Sequence, residues 1–431
     1  MTSSPSEFPD FAAFTAYLDS LGLFHMELSP HRMVAALAGL GLTSLPHLAV
    51  QVVGTNGKGS TAALVAAMLA AHGLPTGLYL SPHFVSVRER ILMGGRMCEE
   101  ADWVAAANAV LAATAGGGEK NRLTYFELLT AMAARLFTQN GAEAAVYEAG
   151  LGGAGDATTA LGRDLVLLAP IGMDHAAVIG PTLADIARDK AGALVPGGVA
   201  VTGPQPPEAM AVLRREAAAH GTRLLEAQEL AAYNPVTRKA VLRFGGKSLH
   251  TPPVKLRLAG PHQARNASLA LAGFTICADI LGITPDTDAI ARALAETFLP
   301  GRLHLLQLPR MRAALLVDSA HNPPALAALA EALPALRIAP AAMIFTCLAD
   351  KDLEAMAPLA AKLTTGPIFV PELPEISRSR PAAQVVAALG ARAVAVPDPA
   401  AALEAVSDIE GTVLACGSMY LLAALFPATQ N

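Results

Sequence analysis

The sequence predicts an α/β fold: a doubly wound sheet over its larger N-terminal part, and a smaller Rossmann-like α/β unit at the C-terminal end. Three observations carry this. Short apolar, β-branched runs alternate with Ala- and Leu-rich stretches of helical composition. Several of these runs end in glycine, proline or charged residues, which gathers the chemistry at strand C-terminal ends. The alternation pauses near residues 229–258 and restarts after Leu299-Pro300-Gly301-Arg302, where Pro and Gly break a helix ending near Phe298. A chain of 431 residues is too long for one ordinary core, so two or three domains are expected.

In chain order, residues 8–45 read as helical, with Phe11, Phe14, Leu18 and Leu21 at helical spacing. Leu48–Val53 is a strand that breaks at Gly54, turns through Thr55-Asn56-Gly57-Lys58-Gly59 and enters a helix at Ser60-Thr61-Ala62. Gly77–Leu80 is a strand ending at Ser81-Pro82-His83; the charged cluster Arg88-Glu89-Arg90 follows, and Gly116–Gly118 is a flexible connection. Leu123-Thr124-Tyr125-Phe126-Glu127 opens an apolar helix, and the strand Ala144–Glu148 ends on an acid before Gly150-Leu151-Gly152-Gly153. Leu165–Ala169 is a further strand leading to Gly172-Met173-Asp174-His175. Short β-type sequence surrounds Gly245-Gly246, and Gly260–Asn266 opens a helix. Beyond the break, Leu315–Asp318, Ala342–Phe345, Gly366–Val370 and Val413–Cys416 are strands.

The strand, glycine loop and helix start at residues 48–61 have the makings of a phosphate seat. Glycines let the backbone approach a ligand, and N–H groups at a helix start attract anions. Lys58 is placed to neutralise phosphate, and Ser60 or Thr61 to offer a hydroxyl to phosphate or a phosphate-bound Mg²⁺. The spacing departs from the usual phosphate-loop pattern, with Val52 at the first glycine position and Gly59 between Lys58 and Ser60, so a plain Gly-Asn turn with an exposed lysine stays open.

Composition narrows the class. Hydrophobic residues make up 53% and charged residues 16%, and mean hydropathy is +0.42, yet no apolar run is long enough to span a bilayer. No basic-then-apolar leader is evident, and Cys98, Cys277, Cys347 and Cys416 lack metal or redox spacing, which points to reduced thiols in a cytoplasmic enzyme. A net charge of −5 without a basic block argues against nucleic acid as a partner. The chain is expected to be a monomer away from membranes.

Eight blocks occur in one order: Thr55–Ser60, Ser81-Pro82-His83, Thr124–Glu127, Glu148 to Thr158, Asp174-His175, Asp189-Lys190-Ala191-Gly192, Pro300-Gly301-Arg302 and Asp318-Ser319-Ala320-His321-Asn322-Pro323. Together they resemble the folylpolyglutamate synthase/dihydrofolate synthase branch of the Mur ligase superfamily, bifunctional bacterial type, over nearly the whole chain. The resemblance implies an N-terminal ATP-binding P-loop domain over 1–298, a linker at 299–303 and a C-terminal glutamate-ligase domain over 304–431. It implies an ATP- and Mg²⁺-dependent ligase joining L-glutamate to dihydropteroate, and to reduced folates as a polyglutamate tail, through an acyl phosphate.

By the same resemblance, Gly57, Lys58, Gly59, Ser60, Asn266, Arg302 and Asp318 contact ATP; Ser81, Glu148 and His175 bind metal; and Lys190 is carbamylated, placing an oxygen ligand beside a hard cation. His321 assists deprotonation of the incoming amine, and Ser418 and Tyr420 shape the glutamate site. Leu28, Ser29, Pro30, His31, Thr124, Tyr125, Phe126, Glu127, Gly155, Asp156 and Ala157 align with pterin-contacting segments, where a ring stacks on the pterin and a carboxylate accepts from its amino-pyrimidine edge. Plainer roles are open to the same residues: a turn cap for Ser81, a salt bridge for Glu148, a loop histidine for His175, turn and core positions for Ser418 and Tyr420. Two departures bear on the acceptor. Ala154 and Thr159 replace the Arg and Asn usual in the glycine turn, and Ser29-Pro30-His31 replaces Gly-Leu-Asp/Glu. A sister ligase with a non-folate acceptor, a ligase for a UDP-sugar acceptor and a non-catalytic nucleotide-binding module are the alternatives.

Overall fold

The computed structural model describes residues 7–22, 30–116, 122–227, 232–241, 243–244, 249–309 and 311–425. The larger sheet has eight strands: β1 Leu48–Val53, β2 Thr76–Tyr79, β3 Ile91–Met93, β4 Arg96–Met97, β5 Ala144–Glu148, β6 Leu165–Leu168, β7 Val199–Thr202 and β8 Arg223–Glu226, in the order β4-β3-β2-β5-β1-β6-β7-β8. From β2 to β8 the pairs are parallel; β3 and β4 add antiparallel edges. All residues of β1, β5 and β6 are buried, as expected of central parallel strands covered on both faces. The order reverses at β1, with β5 on one side and β6 on the other, so the loops after these three strands meet at a topological switch point.

Helices cover both faces: α1 Phe11–Ser20, α2 His31–Gly39, α3 Lys58–Ala71, α4 Glu100–Thr114, α5 Tyr125–Gln139, α6 Ala176–Ile179, α7 Leu183–Ala191, α8 Pro207–His220, α9 Pro261–Leu281 and α10 Thr287–Glu296. On one face α3 and α9 pack with the inner sides of β1 and β6; on the other α1, α4 and α5 form an aromatic core around Phe14, Trp103 and Phe137. The helical expectation for 8–45 resolves into α1 and α2, with Phe14 and Leu18 buried and Phe11 and Leu21 half-buried. Short antiparallel pieces follow: β9 Ala232–Asn234, β10 Lys239–Val241, β11 Arg243–Phe244, β12 Leu249–His250 and β13 Val254–Lys255.

The second sheet has six strands, β14 His304–Leu306, β15 Ala314–Val317, β16 Ala342–Phe345, β17 Ile368–Pro371, β18 Ala393–Val396 and β19 Thr412–Cys416, ordered β14-β15-β19-β16-β17-β18, with only β14 antiparallel. Helices α11 Pro323–Ala335, α12 Leu353–Ala360, α13 Ala382–Leu389, α14 Pro399–Ala405 and α15 Met419–Leu425 complete this part. Strands β3, β4, β7, β8, β14 and β18 escaped the sequence reading; β8 and β18 are edge strands that stay partly exposed, so the apolar run is weak. Among the described residues no helix is long and apolar enough to cross a membrane.

Candidate active site

The glycine loop leaves β1 at Gly54, where a side chain would collide with the Ala169 carbonyl. The N–H groups of Thr55 and Asn56 donate to the Pro170 carbonyl at 2.9 and 3.2 Å, and the Thr55 hydroxyl exchanges hydrogen bonds with Gly172, both at 3.0 Å. Gly57 takes φ +81°, and a Cβ there would strike Asn266 Oδ1. Because Gly57 caps α3 without a side chain, the first N–H groups of that helix receive no side-chain cap, the condition for anion binding.

This loop forms one wall of a cavity of about 600 Å³. Gly57, Lys58, Gly59, Ser60, Ser81, Glu148, His175, Lys190, Asn266, Arg302, Asp318 and His321 all line it, although the chain delivers them from both sheets. Ser60 reaches the cavity; Thr61 does not line it, and its buried hydroxyl has no partner. Glu148, at the end of β5, accepts the Ser81 N–H at 2.8 Å and lies close enough to Gly59 that a Cβ there would be 3.1 Å from its Oε2. Burial raises its pKa, against the pull of Lys58. Lys190 is buried in α7, and burial together with Lys58 lowers its pKa to about 7. The cavity therefore holds a carboxylate and two amines whose charges are not mutually cancelled.

On the C-terminal side, Asp318 follows β15. Its carboxylate accepts the Leu303 and Ala320 N–H groups, both at 2.9 Å. The Leu303 bond fastens the 299–303 stretch to the sheet, and Asp318 lines the cavity together with Arg302; burial raises the Asp318 pKa, against the pull of the Arg302 charge. His321 Nδ1 lies 2.7 Å from the Ser319 carbonyl, which makes Nδ1 the donor and leaves Nε2 its lone pair. Burial and Lys351 lower the His321 pKa to about 4. Ser418 is buried, its hydroxyl accepting the Tyr420 N–H at 3.1 Å; its neighbour Met419, rather than Ser418 or Tyr420, lines the cavity.

For a divalent cation, the donor set fits in part. Glu148 supplies a buried carboxylate in need of a positive partner, with Ser81 beside it, whereas His175 Nε2 faces Lys351 Nζ at 3.3 Å. Burial leads in lowering the His175 pKa to about 4, so its ring is neutral at pH 7. Among the described residues no three His, Cys, Asp and Glu side chains are grouped to hold a metal by themselves. A cation at Glu148 would need hydroxyl and phosphate oxygens as well.

The acceptor-side residues come together beside the cavity, but most are already engaged. Glu127 and Thr124 form a reciprocal cap at the start of α5, and the Glu127 carboxylate also takes Arg32 from α2 at 3.1–3.3 Å. Asp156 accepts the N–H groups of Leu151 and Thr158, both at 2.9 Å, and the Thr158 hydroxyl at 2.5 Å. Both carboxylates are engaged within the chain, because at a helix or turn start the nearest donors are backbone N–H groups; a pterin edge would have to share the lone pairs that remain. Tyr125 is likewise a core residue, its ring covered by the Arg90 guanidinium 5.2 Å away. Phe126 is half-buried and packs against Gly150, where a Cβ would lie 2.8 Å from its ring. Ala157 is buried and Gly155 half-buried. Pro30 and His31 start α2; Leu28 and Ser29 fall outside the described residues. Thr159, which replaces the usual Asn, donates to the Gly153 carbonyl at 2.6 Å and accepts from Gln51 at 2.7 Å, closing the glycine turn.

Sequence reasoning missed Lys351 and gave Asp174, Asn56 and Asn322 no role. Lys351 is buried, its Nζ 2.6 Å from Asp174 Oδ1. Its signal was the short charged run Asp350-Lys351-Asp352 soon after the apolar strand β16.

Comparison with known proteins agrees with this geometry. Residues 301–419 match the model of the Mur ligase glutamate ligase domain. A dihydrofolate synthase/folylpolyglutamate synthase of Bacillus subtilis is 31% identical over 358 residues, covering 80% of this chain and 82% of that protein. A probable bifunctional folylpolyglutamate synthase/dihydropteroate synthase of Haloferax volcanii is 35% identical over 87% of this chain, which spans only 45% of that longer protein. Among solved structures, the E. coli FolC complex with DHPP and ADP superposes with a TM-score of 0.86 at 27% identity over 99% of both chains. A Yersinia pestis bifunctional folylpolyglutamate synthase/dihydrofolate synthase complexed with AMPPNP and a Mn ion gives 0.82 at 27% identity over the full length of both chains. The fold and cavity define an ATP-site ligase architecture of the Mur type. Within that class, the chain belongs to the folylpolyglutamate synthase/dihydrofolate synthase family.

Proposed function

We propose that this protein is an ATP-dependent amide ligase that adds L-glutamate to dihydropteroate, and to reduced folates as a tail. The observation that carries the reading is the single cavity in which an uncapped helix start, Lys58, Lys190, Glu148 and Arg302 converge. A carboxylate is a poor electrophile and must be brought against a phosphate of the same sign, which demands concentrated positive charge. Lys58 and the α3 N–H groups hold the phosphates. Arg302 adds a guanidinium from the C-terminal side. Transfer of the γ-phosphoryl group gives acyl phosphate and ADP; attack by the glutamate amine then gives the amide and phosphate. His321 Nε2, with its lone pair free, accepts a proton from the incoming amine.

Glu148 and Ser81 would hold a divalent cation, whose charge would offset that of the phosphates. Lys190 suits carbamylation: with a pKa near 7 about half of its amine is neutral at neutral pH, against roughly one part in 3,000 at the ordinary value, and the neutral form is the one that captures CO₂. The four free, buried cysteines fit a reducing compartment such as the cytoplasm.

A related ligase with another acceptor is the second reading, favoured by Ala154 in the glycine turn and by the engagement of Glu127 and Asp156. The experiment is ADP release with Mg²⁺ and L-glutamate, adding dihydropteroate or tetrahydrofolate separately, with Lys58→Ala as control. Release with both that Lys58→Ala abolishes is the expected result. Release with tetrahydrofolate alone restricts the enzyme to tail extension. Silence with both, from folded protein that binds ATP, moves the assignment to a different acceptor.

A further inference from the structure

Asp174 stands on the loop after β6, yet the strongest bonds to its carboxylate come from the other sheet. Oδ1 takes Lys351 Nζ at 2.6 Å and Oδ2 takes Asn322 Nδ2 at 2.8 Å. The side chains of this ion pair are only 8% and 5% exposed. His175 Nε2 and His321 Nε2 lie 3.8 and 3.9 Å from Oδ2, the His175 N–H donates to Oδ1 at 2.9 Å, and His175 Nε2 is 3.3 Å from Lys351 Nζ.

Asn322 caps α11 through Oδ1, which accepts the Ala325 N–H at 2.9 Å; its Nδ2 is thereby directed away from the helix, toward Asp174 and Asn56. Asn56, in the phosphate loop 266 positions earlier, exchanges two 3.1 Å hydrogen bonds with Asn322. Asn56 N–H is also tied to Pro170, on the same loop that carries Asp174. One closed circuit thus joins the phosphate loop, the loop after β6, the start of α11 and the turn after β16.

We propose that Asp174 is a positioning residue, the docking point through which Lys351 and Asn322 hold the C-terminal catalytic loops in register with the phosphate loop. Lys351 acts through Asp174 and does not touch substrate. Loss of the pair leaves phosphate binding by the α3 N-terminus in place, but lets His321 and Arg302 drift from the reacting atoms. A positioning error of that size suffices to slow the chemical steps. The turnover part of this inference rests on the ligase reading; the docking part does not.

The test compares Lys351→Met, Asp174→Asn, their double variant, Lys351→Arg and Asn322→Ser with the unmodified protein. Asn322→Ser keeps a helix cap while removing both Nδ2 bonds, so it stays informative where the charge variants fold poorly. Hydrogen exchange at residues 322–326 and 54–58 reads docking, ADP affinity reads the phosphate loop, and ADP release with L-glutamate and acceptor reads chemistry. Expected are at least tenfold faster exchange in both segments for Lys351→Met and Asp174→Asn, with kcat down at least tenfold and ADP affinity within about threefold. Asn322→Ser shows a smaller change in the same direction, Lys351→Arg restores part of kcat, and the double variant is no worse than the worse single. Unchanged exchange overturns the inference. So does a Lys351→Met defect confined to KM for L-glutamate, which would put the lysine on substrate, or losses that add in the double variant. A protein silent with every acceptor would defeat the ligase reading, while exchange and ADP affinity would still decide the docking.

Discussion

Glu148 and Glu127 are both buried glutamates at motif positions, 4% and 3% exposed, and their surroundings differ in kind. Glu127 is paid in full: the Thr124 N–H and the Arg32 guanidinium occupy both oxygens. Glu148 has one backbone N–H on Oε2 and otherwise faces a cavity holding Lys58 and Lys190, with burial pushing its pKa up. The difference separates architecture from chemistry. A buried carboxylate whose lone pairs are all taken locally fixes the chain; one that stays under-satisfied at a cavity wall has been left for a ligand.

The largest expected effect tests that division where it is sharpest. Glu148→Gln keeps the shape but removes the charge that the proposed ligase reading sets against a cation. Turnover should fall about a thousandfold, near 4 kcal/mol of transition-state stabilisation, while thermal stability holds or rises because a strained buried charge is gone. Glu127→Ala should do the reverse. Removing it takes away an ion pair whose Arg32 side chain is 12% exposed, together with half of the α5 cap, costing about 2 kcal/mol in denaturant unfolding. Turnover per folded molecule should stay within about threefold. A Glu127→Ala protein that is stable but inactive would return that carboxylate to the acceptor site.

Much of the fold was legible because the central parallel strands are continuous apolar runs bounded by glycine; Leu48–Val53 and Ala144–Glu148 match β1 and β5 residue for residue. The strand, glycine loop and helix start at residues 48–61 were legible too, because glycine both ends the strand and caps the helix there. The acceptor side was not. Nothing in Thr124-Tyr125-Phe126-Glu127 by itself says whether a Thr-x-x-Glu pattern caps its own helix, meets a ligand or does both, and here it forms the cap. The signal for Lys351 was weak for a different reason: its partner Asp174 lies 177 positions away, and a charge run after a strand is ordinarily solvated.

Lys190 sharpens the chemical half of the comparison through pH. Burial and Lys58 hold its folded pKa near 7, far below the ordinary lysine value. Its amine is therefore protonated and unreactive below pH 6 and mostly neutral above pH 8. Carbamate formation, followed by ¹³C NMR with labelled bicarbonate at constant dissolved CO₂, should rise about tenfold in rate between those limits and then level off. Lys190→Met should abolish the signal. The sign for stability follows from the same shift: between about pH 7 and the ordinary lysine value the unfolded chain binds more protons, so this group makes the unmodified protein more stable as pH rises. A carbamate signal that keeps climbing well above pH 9 would mean an ordinary, exposed lysine.

The smallest effect falls on the other half of the Glu127 cap. Thr124 accepts the Glu127 N–H at 3.3 Å, while Glu127 returns a bond to the Thr124 N–H at 2.8 Å. Thr124→Ala breaks only the weaker arm of this reciprocal pair and leaves the Arg32 ion pair intact, so about 1 kcal/mol should be lost in denaturant unfolding. Thr124→Ser keeps the hydroxyl and should recover most of it. Because neither variant disturbs the cavity wall, KM for the acceptor should stay within about twofold in both. If Thr124→Ala instead raises that KM tenfold at unchanged stability, the hydroxyl reaches acceptor, and the line drawn between the two sides of the site runs through this helix start rather than beyond it.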